Sequence, residues 1–238
     1  MIQEITDEDK EIVWDYTVNY IAFLIKKKTS TKRSATIMEF TKLKNSLECL
    51  GYTVSEFNDA GEATMYLANQ LRDSTIGIGG SVTVEEMKLY DALVSQNDVY
   101  WHMRLPENMS VMEARKRANR SDFYISSVNG IAETGEIINI DNTGNRVSAI
   151  SFGHDKVYLI IGENKIAPSY EEALDRARNI AAPLNAKRLG VKTPCAIKGD
   201  KCYDCKSPQR ICRNISVLWE KPTGSEYEVI LIHEKLGY

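Results

Sequence analysis

Residues 52–93 read YTVSEFNDAGEATMYLANQLRDSTIGIGGSVTVEEMKLYDAL, and their texture decides the fold. YTVSEF is a short β-rich run, residues 60–71 carry a helical pattern, STIGIGG is a second strand-like run ended by glycines, and Thr83 to Leu93 is helical again. Parallel strands need a crossover long enough to be a helix, so this alternation predicts parallel pairing. Working outward, DVYWHM (98–103), a helix over 110–118, FYISSV (123–128), GEIINID (135–141) and VYLIIG (157–162) continue it. The expectation is an α/β chain with a mostly parallel sheet covered by helices on both faces.

On either side of that core the pattern changes. Residues 1–51 read as a helical N-terminal arm packed on the core. Thr6 and Asp9 resemble a capping box, an apolar stripe runs from Ile12 to Leu24, and a second helix spans Ser34 to Leu50 with Gly51 as its stop. The basic linker KKKTSTKR between them is a solvated loop or an anion-binding patch. The α/β core is expected over 52–190. It closes with SYEEALDRARNIAAPLNAKRL (169–189), a helix broken or bent at Pro183. Residues 191–238 then form a small Cys-rich metal-binding segment and two C-terminal strands, ISVLWE (215–220) and YEVILIHE (227–234), joined by the turn KPTGSE.

Composition bounds the function. With 30 Lys plus Arg against 33 Asp plus Glu the formal charge is −3, which argues against a protein built mainly to bind nucleic acid. No apolar run reaches the roughly 18 residues of a membrane span. The acidic start MIQEITDEDKEI is unlike an export signal, so the expected location is cytoplasmic.

Two constellations carry chemistry. TIGIGGSVTVEE places Gly77, Gly79 and Gly80 between an apolar strand and a helix, where backbone N–H groups can approach an anion. The alternative is that Ser81 or Thr83 simply caps the helix. The second constellation is C-x6-C-x2-C-x6-C, formed by Cys195, Cys202, Cys205 and Cys212. In a chain without an export signal these read as four sulfur ligands to one metal centre, with a reduced redox CxxC as the alternative. Cys49, on an apolar helical face, reads as core packing. His102 and His233 read as structural, and ARKRANR (114–120) as a solvated helix face.

The blocks GIGGSVTVEE, NGIAETGEIINID, GNRVSAISFG and AAPLNAKRLG resemble the LUD family of lactate-utilisation proteins, over roughly residues 10–238. The resemblance implies a Rossmann-like three-layer α/β/α sandwich similar to the NagB/RpiA/CoA-transferase-like fold. It also implies a link to oxidation of L-lactate to pyruvate beside iron–sulfur partner proteins. Gly79, Gly80, Ser81, Thr83 and Glu86 fall on the family's GGS-x-T-x-x-E pattern. Asn129, Glu133, Asn139, Asp141, Gly144, Asn145 and Arg146 fall on its central pattern, and Lys165 on its NKI element. His154 stands where relatives with this arrangement often carry proline.

Glu133 is the candidate catalytic residue, since some CoA-transferases of this superfamily use a glutamate nucleophile; its alternative is a structural carboxylate. Arg146 reads as an anion clamp or as the partner of a salt bridge to Asp141. The expected ligand is a small anionic metabolite, bound in the core by the residues of these patterns together with Gly77. The lactate context favours an iron–sulfur cluster, a [4Fe–4S] centre, over zinc at the four cysteines. Two other functions stay open: a non-catalytic binding or regulatory subunit with structural zinc, and a transferase or ligase acting on a carboxylate. Whether the chain is an enzyme, and whether it forms a homo-oligomer, the sequence leaves open.

Overall fold

The structure, a computed structural model, describes residues 40–238. The expected capping box at Thr6, the stripe from Ile12 to Leu24 and the linker KKKTSTKR lie outside the described residues. Of the expected second helix, α1 (Thr41–Cys49) is seen, with Leu43 and Leu47 buried.

From there strands and helices alternate as the sequence predicts. β1 (Thr53–Phe57) leads to α2 (Ala60–Gln70), whose first turn is capped by Asp59 accepting from the Glu62 N–H. β2 (Thr75–Ile78) leads to α3 (Val82–Glu86) and α4 (Leu89–Leu93). β3 (Asp98–Trp101) leads to α5 (Val111–Ala118), capped by Ser110, and then to β4 (Phe123–Ser127). After a hairpin of β5 (Gly130–Ala132) and β6 (Ile137–Asp141), α6 (Asn145–Ser151) returns the chain to β7 (Lys156–Gly162). The remaining elements are β8 (Ile166–Ala167), α7 (Tyr170–Arg176), α8 (Ala182–Arg188), α9 (Pro194–Lys198), β9 (Asn214–Leu218) and β10 (Glu226–Ile232).

The central sheet has six strands in the order β1-β10-β7-β4-β2-β3, and every pairing within it is parallel. Its two faces bury separate clusters. Val157, Leu159 and Ile161 of β7 and Tyr227, Val229 and Leu231 of β10 point to one, with Leu43 and Leu47. Tyr158, Ile160, Ile230 and Ile232 point to the other, with Leu67, Val84 and Leu93. This period-2 division of unbroken apolar strands makes a sheet covered on both faces. The described residues thus form an α/β fold with helices flanking a parallel sheet.

Three features differ from the sequence expectation. The helix expected over 83–93 is two short helices, because Lys88 adopts φ 55 and resets the face so that Leu89 and Leu93 join Val84 in one cluster. GEIINID contributes no strand to the parallel sheet. Gly135, at φ 108, turns β5 back into β6, and these strands make a second sheet in the order β8-β5-β6-β9. The helix over 169–189 runs on through Pro183 by way of a π-helical segment at Ala177–Ala181, which absorbs the donor that proline lacks. β10 runs between β1 and β7, and all described residues fall in one compact unit.

Candidate functional site

Loops that follow β2, β3, β4, β6 and β7 meet helix α8 around a cavity of about 150 Å³. Carboxyl ends of parallel strands are where open α/β sheets take ligands, because the loops there face outward while the strands hold them rigid. Eight of the residues singled out in the sequence line this cavity: Gly80, Ser81, Thr83, Asn129, Asp141, Asn145, Arg146 and Lys165. So do His102, Arg115, Asn185, Arg188, Ile211 and Tyr238.

Lys165 ends the 3-10 turn Glu163–Lys165 that follows β7, in the middle of the sheet. Only 3% exposed, its Nζ donates to Thr83 Oγ1 at 2.7 Å and to Ser127 Oγ at 2.8 Å. Those hydroxyls in turn donate to the carbonyls of Leu236 and Ile160, so their protons are already committed and the lysine must be the donor to both. Burial, followed by the charges of Arg176 and Arg146, pushes the Lys165 ammonium down to about 7.

Arg146 is enclosed and fully used. Its guanidinium donates to the carbonyls of Ser127 (3.1 Å) and Ile140 (2.6 Å), to Asn129 Oδ1 (2.9 Å) and to Asn139 Oδ1. Asp141 makes no side-chain pair with it. That carboxylate accepts from the backbone N–H groups of Asn142, Arg146 and Val147 instead, capping α6. Arg146 therefore ties the loops together and lends the cavity its charge, rather than offering a free fork. Arg115 also lines the cavity, and its buried Nε meets no acceptor among the described residues. Arg188 is held by Asn185 and by the hydroxyl of Tyr238 at 2.8 Å.

Four cationic side chains thus face the cavity against one carboxylate that is already saturated. None of the four forms an ion pair among the described residues. His102 adds no charge at neutral pH, because burial and then Arg115 push its imidazole down to about 4. An anion entering here finds positive potential in a partly dry setting, where charge-assisted hydrogen bonds are strongest.

Other expected site residues lie elsewhere. A Cβ on Gly77 would sit 2.2 Å from the Ala118 carbonyl, so this glycine lets α5 close onto β2 and does not face the cavity. Gly79 is packed in the same way against Tyr124 and Ser126. Glu86 accepts from the Gly237 N–H at 2.6 Å and anchors the tail that brings Tyr238 to the cavity. Glu133, the candidate nucleophile, is paired with Lys42 at 2.8 Å and does not line the cavity. Asn139 supports Arg146 from a buried position, while Gly144 takes φ 86 at the start of α6. His154 is buried, bonded to the Ser121 carbonyl at 2.6 Å and stacked on Tyr124, a hydrogen bond that proline could not make.

The four clustered cysteines are free and partly buried, and Cys49 is exposed on α1 rather than in the core. Four thiols suit a soft metal by chemistry. Yet among the described residues no three His, Cys, Asp or Glu side chains are gathered around one point. Arg210 organises the segment, donating to the carbonyls of Cys205 and Cys212, both at 2.9 Å. The segment adjoins the cavity through Ile211, and the Arg213 N–H donates to the Asp141 carbonyl.

Comparison with known families matches the LUD domain over residues 40–232. No curated protein matches. Similar solved structures include a DUF162 family protein from Deinococcus radiodurans, 15% identical, covering 81% of this chain and 94% of that one with a TM-score of 0.46. Another is eIF2B beta from Chaetomium thermophilum, 12% identical, covering 56% and 44% of the two chains with a TM-score of 0.28.

Proposed function

The chain belongs to the LUD domain family, and from that premise we propose that it binds a small carboxylate in the cationic cavity and takes part in oxidation of L-lactate or a related organic acid. The observation that carries this reading is the convergence of Arg115, Arg146, Lys165 and Arg188 on one cavity, none of them in an ion pair among the described residues. Size narrows the ligand class. At about 150 Å³ the cavity falls below the roughly 300–1,000 Å³ that takes drug-sized ligands, so it suits a metabolite of a few non-hydrogen atoms. The transferase alternative loses its proposed nucleophile, because Glu133 is away from the cavity and paired with Lys42.

Calorimetric titration with lactate, pyruvate, phosphate, CoA and neutral glycerol tests the reading. Small carboxylates should bind and glycerol should not. If no anion of the panel bound, the reading would fail.

A single metal centre on Cys195, Cys202, Cys205 and Cys212, iron–sulfur ahead of zinc, is a further part of the proposal. It is supported by the donor set and the family context; the described sulfurs would have to move together to form it. No step in the cavity is routed through it. Iron, zinc and sulfide content of anaerobically purified protein tests it. Each Cys→Ser variant should lose most of the metal, while Cys49→Ser keeps it.

A further inference from the structure

We propose that Lys165 is an imine-forming lysine, condensing with the carbonyl carbon of a small 2-oxo carboxylate held in the cavity; this rests on the reading that the cavity takes such an acid. The geometry of Nζ points there. Its two hydroxyl partners, Thr83 and Ser127, have given their own protons to backbone carbonyls, so each can only accept from the lysine. Two of the tetrahedral positions on Nζ are thereby fixed as donors. One position remains, and Lys165 lines the cavity. In the neutral amine that position holds the lone pair. An ordinary binding lysine would be expected to have a carboxylate beside it or its head in water. Among the described residues Lys165 makes no ion pair and its head is buried; burial and then Arg176 and Arg146 disfavour its charged form, against a smaller opposing effect of Glu86.

The chemistry balances without an oxidant. The Nζ lone pair attacks the ketone carbon, the nitrogen gives up one N–H proton and the carbonyl oxygen takes up one, giving a neutral carbinolamine. The nitrogen then gives up its second N–H proton as its electron pair forms the C=N bond, and the hydroxyl takes up one proton and leaves as water. Overall, one amine and one ketone give one imine and one water. Arg115 lines the same cavity and supplies a positive charge for the carboxylate of the same molecule. A 2-hydroxy acid such as lactate can occupy the same place but has no carbonyl to condense.

The test combines calorimetry with borohydride trapping. Intact protein is incubated with pyruvate or with lactate, treated with sodium cyanoborohydride, digested and mapped by mass spectrometry. The expected result is a reduced pyruvyl adduct on the Lys165 peptide, none with lactate, and loss of the adduct in Lys165→Arg. Trapping at Lys165 should rise as pH increases through about 7, well below the range in which exposed lysines become nucleophilic. Pyruvate that binds by calorimetry but leaves Lys165 unmodified would overturn the imine and leave the carboxylate site standing. Adducts confined to surface lysines would overturn it equally. Absence of both binding and adduct would remove the site and the imine together.

Discussion

Lys165 has a cost that its thermodynamics exposes. Its folded form titrates at about 7 against 10.5 for the unfolded chain, so across that window the unfolded chain binds more protons. Stability contributed by this group therefore rises with pH from about 7 to 10.5, and the penalty of the buried charge is fully present below 7. Lys165→Met should raise the thermal midpoint at pH 6, at roughly 2–4 °C per kcal/mol recovered in a chain of this size. The gain should shrink towards pH 10; a pH-independent shift would refute the buried charge as its source. The two neighbouring arginines are expected to part company. Arg146→Met takes a charged donor from four acceptors, of which Ser127 O and Asn129 Oδ1 keep donors in Ser126 Oγ and the Ile140 N–H, and should cost about 2–5 kcal/mol of stability in urea. Arg115→Met orphans none. It should leave the urea midpoint in place and weaken carboxylate binding about 10–100-fold, the loss of one charge-assisted hydrogen bond. Equal stability in the two variants would show that Arg146 is not the tie it is described as.

At the scale of elements, glycines of different motifs divide by what surrounds them. Gly77→Ala drives a Cβ into backbone at Ala118 and should cost about 1–3 kcal/mol or more, whereas Gly144→Ala meets nothing within 4 Å and should cost only the left-handed strain of about 1–2 kcal/mol. Urea midpoints rank them, and a Gly144 variant worse than the Gly77 variant would contradict the packing. Both glycines stood out in the sequence, but not which role each has, since a strand-end glycine looks alike whether backbone or ligand approaches it. The strands and helices of 52–189 were legible because apolar period and cap residues such as Asp59 and Ser110 are local signals. Strand order was not, although the unbroken VILI of β10 carries the mark of a strand buried on both faces. The sequence reading reached Gly80 through the glycine turn and Asp141 and Lys165 through the family resemblance, and all three line the cavity. It missed Arg115 because the basic run 114–120 looks uniformly solvated; there Arg117 pairs with Glu113 on the surface while Arg115 lines the cavity. His102 was missed as a lone histidine, though it directly follows β3.

For the molecule as a whole, the position of β10 decides how the parts can loosen. β1 joins the central sheet only through β10, which also pairs along its length with β7, so the residues at 226–232 bridge the edge to the middle of the core. Every β10 residue from Tyr227 to Ile232 is buried, and the two apolar clusters meet at this strand from opposite sides. By contrast, residues 191–213 hold together through loop contacts such as those of Arg210, with few buried apolar side chains. Local opening follows buried contact density, so amide exchange should be slowest in β10, β7 and β4 and fast through 191–213. Adding or chelating metal should change exchange in that segment and, through the Arg213 N–H on Asp141 and Ile211 in the cavity wall, in the loop 141–146. The amides of 226–232 should not respond. If β10 loosened together with the cysteines, the last strand would belong to a metal-dependent unit, and its place as the keystone of the sheet would have to be given up.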